Sequence, residues 1–137
     1  MVEQISIFFT IDMIYLWLNI GIIPFWFILI FFPNSKVCSV FVSSIFPIFI
    51  LSVIYLYLVY YFYISEYNFV DNFNLYLGLN SLNELFNDKG FLIIFWTHFL
   101  AINLFSGSWI VHDSRKLSIS KFLTSIPLIV TYFTGPL

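Results

Sequence analysis

Four apolar stretches, at about residues 5–32, 37–64, 91–111 and 122–137, take up most of this sequence and carry almost no charge. Hydrocarbon offers a backbone N–H or C=O no partner, so such a chain crosses a bilayer only as helices or as a closed barrel. A helix of ~20 residues spans the hydrocarbon core. The first two stretches exceed that length, the third matches it, and the last is only about 16 residues. The second is rich in Val, Ile, Phe and Tyr. In water that composition suggests strands, but in lipid a lone strand would leave its backbone unpaired, so helix is expected. With 61% hydrophobic and 9% charged residues, a water-soluble core is excluded. The expected fold is all-α: a polytopic membrane protein with four transmembrane helices and one short interfacial amphipathic helix, forming a single membrane domain over 1–137.

Within the first stretch Pro24 is the expected kink, because proline removes a backbone donor and crowds the preceding turn. Asp12 and Asn19 lie seven residues apart and share a face that Tyr15 and Trp26 extend. Lipid offers these polar groups nothing, so the face is expected to point at other helices. The short turn Pro33-Asn34-Ser35-Lys36 makes the first two spans antiparallel neighbours. In the second span Pro47 is another expected kink. Ser39, Ser43 and Ser44 allow close helix approach, and Tyr55, Tyr57, Tyr60, Tyr61, Phe62 and Tyr63 form an interfacial belt.

Residues 65–90 are the one long polar segment. There Ser81-Leu82-Asn83-Glu84 fits a capping box, followed by Leu82, Leu85 and Phe86 at i, i+3, i+4. This predicts a short amphipathic helix on the membrane surface, acting most simply as a lid over the bundle. Residues 112–121 read as a charged loop. Lys36, Arg115, Lys116 and Lys121 then share one side and Lys89 takes the other. The positive-inside rule puts the first group on the side of synthesis.

The third stretch is the most informative. Between Trp96 and Asp113 it holds both histidines, two of the four tryptophans and the only alanine, Ala101. Trp96, His98, Leu100, Ala101, Leu104 and Phe105 fit the pattern Trp-x-His-x-Leu-Ala-x-Asp-Leu-Phe. In this the chain resembles the abscisic-acid-deficient-four-like family of small four-helix membrane proteins, whose plant member is needed for neoxanthin synthesis. Further likenesses are Pro24-Phe25-Trp26 closing at Pro33, Ser81-Leu82 through Leu85-Phe86, the pair His112-Asp113, and Thr134-Gly135-Pro136 at the start of the family's Gly-Pro-Ile-Gly ending. The chain stops there, so the last helix is expected to be clipped or re-entrant. Asn103 stands where the family has aspartate.

The resemblance implies opening of an epoxide while a proton leaves the neighbouring polyene, which needs an acid near the oxygen and a base near the carbon. His98 with an aspartate would supply both. Asn103 keeps the hydrogen bonding and loses the proton traffic, and Asp12 replaces it only if it packs opposite. Catalytic candidates are therefore His98, Asn103 and Asp12. His98 is also the candidate cofactor ligand, for haem or chlorophyll. The alternative is a bundle-facing histidine bonded to Asp12, Asn19 or Asn103. Bis-histidine haem within the chain is ruled out, since His112 lies 14 residues from His98, about 21 Å along a helix. The sequence requires no cofactor and offers no metal site; Cys38 is the only cysteine. Near His112-Asp113, Arg115 and Lys116 read first as a surface salt-bridge cluster. The sharper alternative is lipid head-group binding by Arg115, Lys116 and Lys121.

The 19 Phe and 9 Tyr, set against one Ala and one Arg, inflate residues with AT-rich codons. Met1-Val2-Glu3-Gln4 lacks the basic start of a signal peptide. An organelle, an endosymbiont or a streamlined bacterium would each fit this codon bias; the two features together make an organelle-encoded protein of an inner membrane the first choice, mitochondrial ahead of thylakoid. A net charge of −2 suggests no nucleic-acid partner. The expected partners are membrane lipids and other membrane protein subunits. The expected role is a non-catalytic accessory or structural subunit of an energy-transducing complex, such as a respiratory complex; the alternative is an enzyme of violaxanthin-to-neoxanthin-type isomerisation.

Overall fold

The computed structural model describes residues 10–42, 44–64 and 76–136, and among them every regular element is helical. α1 spans Ile11–Phe31. A π-helical turn at Cys38–Val42 leads to α2, Phe46–Val59, which runs on as a second π-helical turn, Tyr60–Ile64. α3 is Leu79–Asn87, α4 is Lys89–Lys116 and α5 is Lys121–Thr134.

α4 is the axis of the bundle. α1, α2, α3 and α5 all pack on it, and α1 and α5 also pack on each other. Its buried positions, among them Ile93, Thr97, Leu100, Leu104 and Val111, recur at three and four residues, the spacing of one helical face. They meet Leu18, Ile22, Trp26 and Leu29 of α1, with Leu51 and Leu58 of α2 and Leu128 of α5 in the same core. Gly107 is what lets α1 close on α4. A Cβ there would stand 2.9 Å from Trp26 Cη2 and 3.2 Å from Leu29 Cδ1. Without a hydrophobic drive between helices in lipid, such close backbone approach supplies the packing that holds them together.

The helix ends follow local chemistry. Thr10 caps α1, its Oγ1 accepting from the Met13 N–H at 3.4 Å. Asp88 caps α4, with Oδ1 accepting from the Phe91 N–H at 2.7 Å. α4 closes at Leu117, with Ser118 at φ 56°. The N–H groups of Ser118 and Ile119 bond the carbonyls of Arg115 and Ser114, which is the Schellman pattern.

Several expectations change. α4 extends beyond residue 111 to Lys116, so His112, Asp113, Arg115 and Lys116 are helical and the loop shrinks to residues 117–120. Arg115 and Lys116 in the last turn complement the negative end of the helix dipole, which favours this extension. Pro24 lies inside α1, where the kink is expected, and the helix is continuous through it. Pro47 does not sit inside a helix; it occupies the first turn of α2, where the missing N–H costs nothing. The expected second span is therefore two pieces. The capping box at Ser81 is not used either: α3 starts at Leu79 after Gly78, which sits at φ 133°. α3 is nonetheless amphipathic. Leu82, Leu85 and Phe86 are wholly or partly buried and Asn83, Glu84 and Asn87 are exposed. Phe86 packs edge-on against Phe91 and Phe95 of α4. The remainder of the expected surface segment, residues 65–75, lies outside the described residues, as does Ser43.

Among the described residues three helices are long and apolar enough to cross a membrane: Ile11–Phe31, Cys38–Phe62 counted through its bend, and Lys89–Lys116. α5, the fourth expected crossing, has 14 residues. At ~1.5 Å per residue it measures about 21 Å, against a hydrocarbon core of about 30 Å.

Candidate functional site

The stripe of α1 packs inward at Asn19 and Trp26, while Asp12 and Tyr15 are exposed. Trp96 of α4 donates its indole N–H to Asn19 Oδ1 at 3.3 Å, and Asn19 Nδ2 donates to the Tyr15 carbonyl at 2.7 Å. The Tyr15 ring lies 5.9 Å from that of Trp96. Trp26 meets Tyr132 of α5 edge-on at 5.3 Å. Asp12 departs from this pattern. It is exposed in the first turn of α1, not inside the bundle. A carboxylate there is favoured by the positive end of the helix dipole.

His98 and Asn103 are not brought together. Five residues turn a helix through about 140° beyond a full turn, so the two side chains leave α4 on different faces. His98 is exposed, against the expectation that it faces into the bundle; its ring lies 5.6 Å from that of Tyr55 on α2. It forms no hydrogen bond with any described residue. Asn103 turns inward, 2% exposed. Its Oδ1 has no hydrogen-bond partner, alone in this among the buried side-chain polar atoms of the described residues. Phe99 and the Asn103 oxygen border Gly135, where a Cβ would lie 3.0 Å from the Phe99 ring and 3.8 Å from that oxygen.

Between α1 and α2 lies a cleft of about 700 Å3. Both helices pack on α4 and barely touch each other, so the gap between them stays open, with Leu104 of α4 on its floor. Trp17, Leu18, Gly21 and Phe25 form one wall and Leu51, Ile54 and Tyr57 the other. Trp17 and Tyr57 carry the only polar side-chain atoms in this lining; none of His98, Asn103 and Asp12 reaches it. The sequence signal for the cleft was Gly21, the one gap in a run of bulky apolar residues. A Cβ there meets nothing within 4 Å.

The basic residues gather at the other end of α4. Arg115 donates from Nε to the Pro33 carbonyl at 2.8 Å, and from Nη2 to the same oxygen. This bond joins the 33–36 turn to the end of α4, so the two basic connections share one end of the bundle. Ser125 Oγ, donating to the Ile30 carbonyl at 3.2 Å, ties α5 to the same region. The expected salt-bridge cluster is absent among the described residues: Asp113 pairs with neither Arg115 nor Lys116. Both are on one helix with Asp113, but two and three residues away, and Arg115 is drawn off to the Pro33 carbonyl. Among the described residues no three His, Cys, Asp or Glu side chains come together as metal ligands would.

The model of the family described as ABA DEFICIENT 4-like matches residues 13–137. No curated protein and no solved structure matches the chain.

Proposed function

This chain belongs to the ABA DEFICIENT 4-like family and is a membrane protein of it, and from that premise we propose that it works as a non-catalytic subunit of a larger membrane assembly. One observation carries the reading, the dispersal of its proton-transfer groups. Opening an epoxide while deprotonating a polyene needs an acid and a base aimed at one guest. Here His98 points outward, Asn103 points inward, Asp12 lies at the far end of α1, and none of them lines the cleft. Asn103 carries an amide, which does not ionise near neutral pH and so cannot serve as an acid or base. His98 adds support. It stands about nine residues inside α4, some 14 Å from the helix start, exposed beside Tyr55 of α2 and without a hydrogen bond to any described residue. A polar group facing lipid is costly, and a neighbouring helix that offers an acceptor removes the cost. The proposal includes a fourth crossing by α5, α3 lying at the interface, and an organellar inner membrane, mitochondrial ahead of thylakoid. The support for the compartment is the codon-biased composition alone.

The experiment is removal of the chain from the cell that makes it, read by native gel electrophoresis of membrane complexes and by pigment chromatography. A large complex should shrink or vanish while pigments stay unchanged, and His98→Phe should lower the amount of assembled complex. Loss of a single xanthophyll with all complexes intact would overturn the subunit reading.

The apolar cleft favours a second reading, a xanthophyll isomerase. Gly21→Phe separates the two. The new ring enters open space, and replacing glycine inside a helix gains a few tenths of a kcal/mol. Unfolding should therefore stay within about 0.5 kcal/mol of wild type. A subunit keeps supporting its complex with Gly21→Phe in place; an enzyme that works in the cleft loses its product.

A further inference from the structure

A groove of about 800 Å3 lies between the π-helical turn Cys38–Val42, the start of α2 and the last turns of α4. Its outer part is polar. Arg115, Lys116 and His112 come to it from α4, and Ser39 and Ser44 line the facing wall. Asp113, the neighbouring carboxylate in the sequence, does not line it. Lys116 and His112 form neither an ion pair nor a hydrogen bond with any described residue. Arg115 commits Nε and Nη2 to Pro33, and its remaining donors are uncommitted. Two permanent cations and an imidazole thus line the groove with no carboxylate in its lining. Like charges held this close repel, and an anion seated among them reverses the sign of that interaction.

Towards the middle of α4 the lining is mostly apolar, with Ile48, Phe105 and Trp109 beside Ser108. The His112 ring stacks over Trp109 at 6.4 Å and marks the boundary between the two parts. A free phosphate would use only the outer part. An amphiphile with an anionic head and a hydrocarbon tail fits both. The place also suits one: basic residues beside an aromatic ring at the end of a membrane-length helix lie where lipid head groups lie. We propose that this groove binds the phosphate of an anionic membrane phospholipid, with Lys116, His112 and Arg115 on the head group and an acyl chain along Phe105 and Trp109. Lys121, which the sequence grouped with Arg115 and Lys116, is outside the groove. The inference stands apart from the choice between subunit and enzyme.

The test uses the full chain purified in a neutral detergent. Dioleoyl phosphatidylglycerol, dioleoyl phosphatidylcholine and inorganic phosphate are added separately, with native mass spectrometry and thermal unfolding as readouts. Phosphatidylglycerol should leave one persistent adduct and raise Tm; the other two should do neither. Lys116→Gln should weaken the phosphatidylglycerol adduct about fivefold, the weight of one cation near an anionic lipid. His112→Gln should weaken it as well, and Lys121→Gln should not. Lys116→Gln and Lys121→Gln should melt like the wild type in detergent alone, since neither side chain forms a hydrogen bond or ion pair with a described residue. Equal adducts with phosphatidylcholine, an equal Tm rise with inorganic phosphate, or equal loss in Lys121→Gln would each overturn the proposal. The first would indicate a tail site, the second a free-anion site, and the third diffuse surface charge.

Discussion

Gly107→Leu should separate α1 from α4 and give the largest loss of stability of any single change in the bundle. The position is closed from both sides. Trp26, 3% exposed, packs against Gly107 through Cη2 and Cζ3, and Tyr132 of α5 packs edge-on against the same indole. Leu29, fully buried, closes the remaining side. An indole is rigid, so neither it nor the backbone can yield by a rotamer change alone. Overpacking typically costs about 1–3 kcal/mol and can cost more. For Gly107→Ala this is set against a helix-propensity gain of up to about 1 kcal/mol, so the alanine variant should be near neutral or mildly destabilised. Leucine gains no more propensity than alanine and needs three more carbon atoms of space. It should lower the unfolding free energy by about 3 kcal/mol. Titration of the folded protein from neutral detergent into sodium dodecyl sulfate, followed by tryptophan fluorescence, reads the change. An unshifted midpoint for Gly107→Leu would mean that Trp26 does not lie on Gly107.

Asn103→Leu should act in the opposite direction. A buried acceptor without a donor carries its full desolvation penalty, about 1–3 kcal/mol. Asn103 Oδ1 is in that state among the described residues, in a wall that includes Phe99 and Gly135. Leucine removes the penalty and adds apolar contact, so the same titration should show stabilisation of that order. A loss of stability would reveal a donor to this oxygen, from a bound molecule or from another chain. Asn103→Asp, which restores the family's residue, should destabilise. The carboxyl would be buried with no partner, and His98 faces away from it. Restoring the motif therefore should not by itself restore an acid–base pair.

The sequence determined that this is a helical membrane protein, because apolar runs of membrane length leave the backbone no alternative to helices or a closed barrel. It also carried the family, through Trp96, His98, Leu100, Ala101, Leu104 and Phe105, and the inward placement of Asn19 and Trp26, since seven-residue spacing is a property of a single helix. Single-helix periodicity could not say where the bundle ends along its axis. Asp12 obeys the same period as Asn19, yet lies nearly one turn past Tyr15, in the first turn of α1, and is exposed. Nor could motif spacing say that His98 and Asn103 diverge: residues that read as one signature along the chain lie on opposite sides of α4. The cleft arises because α1 and α2 both pack on a third helix and leave the space between them unfilled. The basic groove joins Ser39 and Ser44 to His112 and Lys116 across more than sixty residues. The π-helical break between the Pro33 turn and Pro47, and the bond from Arg115 to Pro33, set that distance. Faces of one helix follow from local geometry, whereas sites between helices depend on how several faces meet, and only the tertiary structure decides that.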